Sequence, residues 1–232
     1  KGGYNVKKIM ADSYVLKKTA TGNRYPDVEK LVKQLQNEGQ LIMNYGGHGS
    51  WTQLSHEKIL TLDDVKNFKG ENYSMWIMAA CETMPYDYTR TTLGEQLLLN
   101  KDGGAIVTYG AARSVYESYN SKIDKYMMEY ILDYDASGKP YTVGEAQRLA
   151  KNKMIKDKVD MTVNKHHYAI LGDPAMALAI PTHRVKVDKI NGMASNQNIQ
   201  IKALSTVTVE GHIETLDGQT ASSFNGTLNS TI

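Results

Sequence analysis

The chain holds one cysteine in 232 residues, Cys81, and an unusual histidine setting, Gly46-Gly47-His48-Gly49. A single cysteine excludes an internal disulfide, so Cys81 is either a buried small hydrophobe or a working thiol. A thiol of ordinary pKa, about 8.5, is only partly ionised at neutral pH, and an adjacent imidazolium lowers that value and activates the sulfur. The same histidine can then protonate a leaving amine. Glycines beside His48 let backbone approach a substrate carbonyl, which makes the N–H groups of Gly49 and Cys81 candidate oxyanion donors. The competing account is plain: the glycines make a tight turn, and Cys81 fills core space.

Both residues follow short apolar runs. Leu41-Ile42-Met43 precedes the glycine turn, and Met75-Trp76-Ile77-Met78-Ala79-Ala80 runs directly into Cys81. Each run is too short for a helix and reads as a buried strand, as does Ala105-Ile106-Val107 after Gly103-Gly104. Between them lie helical signals. Pro26 opens one over residues 26–38, with Val28, Leu31, Val32 and Leu35 on one face and Gly39 as the stop. Thr92 and Glu95 have capping-box spacing, as do Thr142 and Glu145. Ile123, Met127, Tyr130, Ile131 and Tyr134 predict a helix over 121–134, and Tyr168–Leu171 a last short strand before Gly172-Asp173-Pro174. Buried strands alternating with helices indicate an α/β domain with a mainly parallel sheet flanked by helices. In such a sheet chemistry gathers beyond the carboxyl ends of the strands, so neighbouring strands would put His48 and Cys81 on one rim.

After Pro181 the pattern changes to short alternating stretches, Val185-Lys186-Val187 and Val207-Thr208-Val209, among Ser, Thr, Asn and Gly. Residues 184–232 are expected to be the opening strands of an antiparallel β-sandwich, and residues 1–183 the catalytic domain. The chain opens with Lys1-Gly2-Gly3-Tyr4 and carries no signal peptide. It reads as an internal piece of a longer exported protein. The net charge of +2 gives no reason to expect nucleic acid. No apolar run nears the roughly 20 residues that span a bilayer.

At the residues singled out above, the sequence resembles the gingipain-like cysteine peptidases, marked by a Gly-His-Gly turn after one strand and a Cys after the next. Within them it is most similar to the sortases (carboxy-terminal signal peptidases) of the type IX secretion system of Bacteroidetes. The stretches that carry this are Gly2-Gly3-Tyr4, Arg24-Tyr25-Pro26, Asn44-Tyr45, Gly47-His48-Gly49, Ser55–Leu60, Ala80-Cys81-Glu82, Gly94-Glu95, Gly103–Ile106, Arg113 and Leu171–Ala175. Thr208–His212 and Phe224-Asn225-Gly226 extend it into the tail. The resemblance implies a caspase-like fold lacking its first strands, followed by a truncated immunoglobulin-like module. It implies His48 and Cys81 as the catalytic pair. It also implies removal of carboxy-terminal secretion signals from exported proteins at the cell surface, with transfer of the new end to a lipopolysaccharide acceptor. Other secretion-system surface proteins would then be partners. Two departures stand out. Thr83-Met84-Pro85-Tyr86 replaces the usual aromatic and basic segment, and none of the 47 residues before His48 is assigned to the family's upstream acid.

Arg113 to Tyr116 follow the third strand, where gingipains build a specificity pocket. Arg113, Val115 and Tyr116 are therefore candidate substrate-binding residues, as is Glu82 beside the nucleophile. Arg113 could equally pair with a nearby acid, and Glu82 could equally steer its loop. Trp51 is expected to be packing. No cofactor and no metal is expected. His56-Glu57 fails as a zinc motif because Leu60 stands where the second histidine belongs. His166-His167 lacks ligand partners, and Asp133–Gly138 reads as a turn because Gly144 replaces the calcium loop's Glu. Three classes remain: a sortase-type peptidase, a secreted endopeptidase that only hydrolyses, and a non-catalytic surface module.

Overall fold

A computed structural model describes residues 4–227; Gly2, Gly3 and the ends of both expected domains lie outside that range. In chain order the elements are β1 (Lys17–Thr19), β2 (Gly22–Arg24), α1 (Pro26–Glu38), β3 (Ile42–Gly46), β4 (Gln53–Leu54), β5 (Leu60–Thr61), α2 (Leu62–Lys66), β6 (Ser74–Ala79) and α3 (Leu93–Leu99). Then follow β7 (Ala105–Ala111), α4 (Glu117–Ile131), α5 (Val143–Lys156), β8 (Tyr168–Leu171), β9 (His183–Ile190), β10 (Met193–Ala194) and β11 (Val209–Thr215). The chain divides into two units, one of residues 7–179 and one of residues 180 onward joined by the segment before Lys7. The expected boundary lay between 183 and 184.

The larger unit is built on a four-stranded sheet in the order β3-β6-β7-β8. The first three strands are parallel and β8 is antiparallel. Side chains alternate across a strand, and the core follows that alternation. Trp76 and Met78 of β6 join Leu54, Leu60, Val65, Phe68, Met84, Leu93 and Leu97 in one apolar cluster. Met75 and Ile77 face the other way; all four side chains are fully buried. On that second side α4 and α5 bury Ile123, Met127, Val143, Ala146, Ala150 and Met154. The buried Trp76 indole N–H donates to Gln36 Oε1 at 2.7 Å, and the Gln36 amide donates to the Gly104 carbonyl, so these two buried polar side chains are matched.

The helix expected over 121–134 starts earlier and stops earlier, at Glu117–Ile131. Tyr116 caps it in extended conformation, and beyond Ile131 the backbone turns. There the Asp135 carboxylate accepts the amides of Ser137 and Lys139, a local alternative to helical bonding. The capping box of Thr92 and Glu95 forms at the start of α3. In the smaller unit β9 is flanked by β10 and β11, all antiparallel. Val209 lies in β11, whereas Val207 lies outside it.

Candidate active site

Gly46 of β3 pairs with Ala79 of β6 in parallel register. His48 and Cys81 each follow two residues later, so both leave the sheet at the same height on its carboxyl rim. The two loops then touch. Gly47 N–H donates to the Ala79 carbonyl at 3.3 Å. A Cβ on Gly49 would stand 2.8 Å from Ala80 Cβ, 2.9 Å from Thr83 Cγ2 and 3.0 Å from the Cys81 carbonyl. Only glycine allows that approach.

The Cys81 loop is held by the strand beside it. Glu82 N–H donates to the Arg113 carbonyl and Met84 N–H to the Ala111 carbonyl. The thiol itself donates to the Val115 carbonyl at 3.3 Å, and Val115 N–H donates to the sulfur at 3.5 Å. Val115 thus touches the Cys81 sulfur through its backbone, which its side-chain type could not foretell. Glu82 adopts φ 50°, a left-handed conformation costly for a non-glycine residue, and its carboxylate accepts from the Ser114 hydroxyl.

Arg113 is engaged by Asp87, with guanidinium–carboxylate contacts of 3.0 and 2.5 Å. The pair holds Asp87 below the usual carboxylate range. The nearby acid with which Arg113 pairs is therefore Asp87. Tyr116 is exposed, its amide donating to Asn164 Oδ1 and its ring set edge-on to Tyr119. Trp51 is half-buried against Tyr88, and both line a recess with Asp87, Thr89 and Arg90.

The His48 loop is a tight hairpin. Ser55 N–H donates to the His48 carbonyl and Ser50 N–H to the Gln53 carbonyl, bracketing the Gly49–Leu54 bridge. That pattern leaves the Gly49 amide outside the ladder. Among the hydrogen bonds of the described residues, neither the Gly49 nor the Cys81 amide has an acceptor. The Tyr45 hydroxyl also donates to the His48 carbonyl, at 2.7 Å. Burial, with the Glu57 charge adding to it, pushes that phenol up to about 12, so it remains a donor.

Two groups of residues escaped the sequence reading. The rings of His48 and His56 lie 5.0 Å apart, and the Glu57 carboxylate beside them accepts from the Ser55 hydroxyl. In the sequence His56-Glu57 stands out only as a failed metal motif and as part of the resemblance, because the hairpin that folds it back on His48 has no local signal. Beneath the rim, Asn44, Ile77 and Tyr109 form one row across the sheet. Asn44 donates to both carboxylate oxygens of Asp124 on α4, at 3.0 and 3.1 Å. Burial raises that carboxyl to about 6. The buried hydroxyls of Tyr109 and Tyr168 have no protein partner among the described residues, and burial raises both phenols.

The model of peptidase family C25 matches residues 1–179. The chain belongs to peptidase family C25. Solved structures agree on the fold, which is the gingipain, caspase-like α/β architecture. The Arg-specific cysteine proteinase gingipain R is 18% identical, with a TM-score of 0.55 over 68% of this chain and 39% of that one. The complex of the pro- and mature domains of RgpB from Porphyromonas gingivalis gives 18% identity and a TM-score of 0.53 over 68% and 40%. Dimeric latent PorU from Porphyromonas gingivalis is 26% identical over 54% of this chain and 12% of that one, at a TM-score of 0.34, too low to bear on the fold. The C25 member described here thus spans about two fifths of the gingipain chains it matches, at 39% and 40%. No curated protein sequence matches it. Among the described residues no helix is long and apolar enough to cross a membrane, and no group of three or more His, Cys, Asp or Glu could hold a metal ion.

Proposed function

We propose that this chain carries the catalytic centre of a cysteine endopeptidase in which Cys81 is the nucleophile and His48 the base. The observation that carries this is the register of β3 on β6, which sets His48 and Cys81 two residues past a paired position, with Gly49 packed against the nucleophile loop. His48 takes the proton from the Cys81 sulfur. The thiolate adds to the substrate carbonyl, and the unclaimed amides of Gly49 and Cys81 receive the developing oxyanion. Val115 N–H, already directed at the sulfur, can donate to it once the thiol proton has left. Collapse expels the amine, which carries away the imidazolium proton and leaves a thioester on Cys81.

The finer reading rests on the sequence resemblance. The substrates are exported proteins with carboxy-terminal secretion signals, cleaved at the cell surface. The thioester passes to an acceptor amine, that of a surface lipopolysaccharide in the native setting, rather than to water. Exposed Tyr116 at the start of α4 and Glu82 on its strained backbone are placed to meet substrate, and residues 184–232 are the start of an immunoglobulin-like module.

In cells making the full-length protein, Cys81→Ala should abolish signal removal without unfolding the enzyme. Retained processing in that variant would dispose of the nucleophile assignment. Adding a small amine to the enzyme should divert product from acid to amide, read by mass spectrometry of the new carboxy terminus. Acid alone, across amines and native acceptor, would make the enzyme a hydrolase.

A further inference from the structure

The base in this site needs a group to orient its ring and to balance the charge it gains, and the carboxylates around the rim are mostly committed. Asp87 is paired with Arg113, Glu82 accepts from Ser114, and Asp124 is held by Asn44. Glu57 is different. Its carboxyl is held below the usual range first by the Ser55 hydroxyl, and His56 and His48 lower it further, so its charge falls on both imidazoles.

Backbone geometry builds this arrangement deliberately. The turn joining β4 to β5 carries two non-glycine residues at positive φ, Ser55 at 66° and Lys58 at 56°. They flank His56 and Glu57. Left-handed backbone is unfavourable for residues with a Cβ, and such strain persists where surrounding bonds overdetermine it. Here the bonds are Ser55 N–H to the His48 carbonyl at 2.8 Å, Lys58 N–H to the Ser55 carbonyl at 3.2 Å and Ile59 N–H to the Leu54 carbonyl at 3.0 Å. The first ties the turn to the backbone of His48 itself. The His56 ring is thereby set 5.0 Å from that of His48, inclined by 51°.

We propose that His56 and Glu57 are positioning residues for His48, His56 fixing the ring and Glu57 supplying negative charge. This rests on His48 being the base. When the Cys81 proton moves to His48, the imidazolium formed is stabilised by the nearby carboxylate, an effect that grows as substrate excludes water from the exposed His48 and part-buried Glu57. The His56 ring, 5.0 Å from that of His48, limits how far the catalytic ring can turn.

The test uses the full-length enzyme with wild type, His48→Ala, His56→Gln, Glu57→Gln and Glu57→Asp. Two quantities are read: peptide turnover, and the pH dependence of Cys81 alkylation by iodoacetamide. His56 is exposed and Glu57 only part-buried, so melting temperatures should stay near wild type. Glu57→Gln and His56→Gln should each lower kcat roughly tenfold with KM little changed, and move alkylation toward the profile of a free thiol near pH 8.5. Glu57→Asp should recover part of the loss, and the double variant His56→Gln/Glu57→Gln should fall no further than the worse single one. Wild-type kcat and an unmoved alkylation profile in both single variants would overturn the positioning role, provided His48→Ala still abolishes turnover. If His48→Ala itself leaves turnover and alkylation unchanged, it is the catalytic assignment of His48 that fails.

Discussion

Cys81 follows a strand whose six residues are all buried, whereas His48 follows an edge strand with none that is. β6 lies between β3 and β7, and the loop after it is pinned to β7 by backbone bonds from Glu82 and Met84. Thr83, Met84 and Pro85 behind the cysteine are buried too. β3 has β6 alone as a neighbour among the described strands, and the loop after it is held by its own residues: Tyr45, Ser55 and the turn that bears His56 and Glu57. Cys81, itself half-buried, sits on a loop packed into the core, and His48 is suspended on a local hairpin. Damage to the packing behind Cys81 should therefore cost the whole fold, and damage to the hairpin of His48 should cost alignment.

The largest expected effect is on the nucleophile side. Met84 is fully buried, with side-chain atoms close against both Gly94 and Gly110. Met84→Ala should destabilise the protein by about 2–5 kcal/mol in denaturant unfolding. A cost under about 1 kcal/mol would show that the cysteine loop is not core after all.

A middle effect comes from Asp124, which bridges the floor of the sheet to α4 through Asn44 on the histidine's strand. Its carboxyl is raised from 3.8 to about 6 in the folded state, chiefly by burial. The folded protein therefore binds this proton more tightly than the unfolded chain, and stability falls as pH rises from about 4 through about 6. Asp124→Asn should remove that slope and stabilise the protein above pH 6 by about 1–2 kcal/mol, discounting for partial exposure. Melting curves of both forms between pH 4 and 8 measure it. Parallel pH profiles would show that solvent reaches this carboxylate freely.

The smallest is Tyr45→Phe, which removes one of the two donors to the His48 carbonyl. Ser55 N–H remains, so the stability loss should be about 0.5–1.5 kcal/mol. Amide exchange at Ser55 should rise while that at Met84 stays slow. Equal acceleration at both amides would erase the distinction between the two supports.

Much of this was legible in the chain itself. The strand runs before His48 and Cys81, the helix from Pro26 to Glu38 and the Thr92–Glu95 cap follow from local chemistry: hydrophobic period, fixed proline φ, side-chain capping. The emergence of His48 and Cys81 just past two neighbouring strand ends was legible in the same way. Other features have no local signature. Arg113 had an acid and a substrate as equal partners until the fold brought Asp87, 26 residues away, within bonding distance. Val115 meets the thiol through peptide atoms, which every residue possesses. Asn44 and Asp124 are 80 residues apart, and a polar pair across sheet and helix leaves no period to read. Spacing along the chain determines which residues share a face of one element. Which faces meet, and so which charges are answered and which are left to act, is decided only when strands take their register.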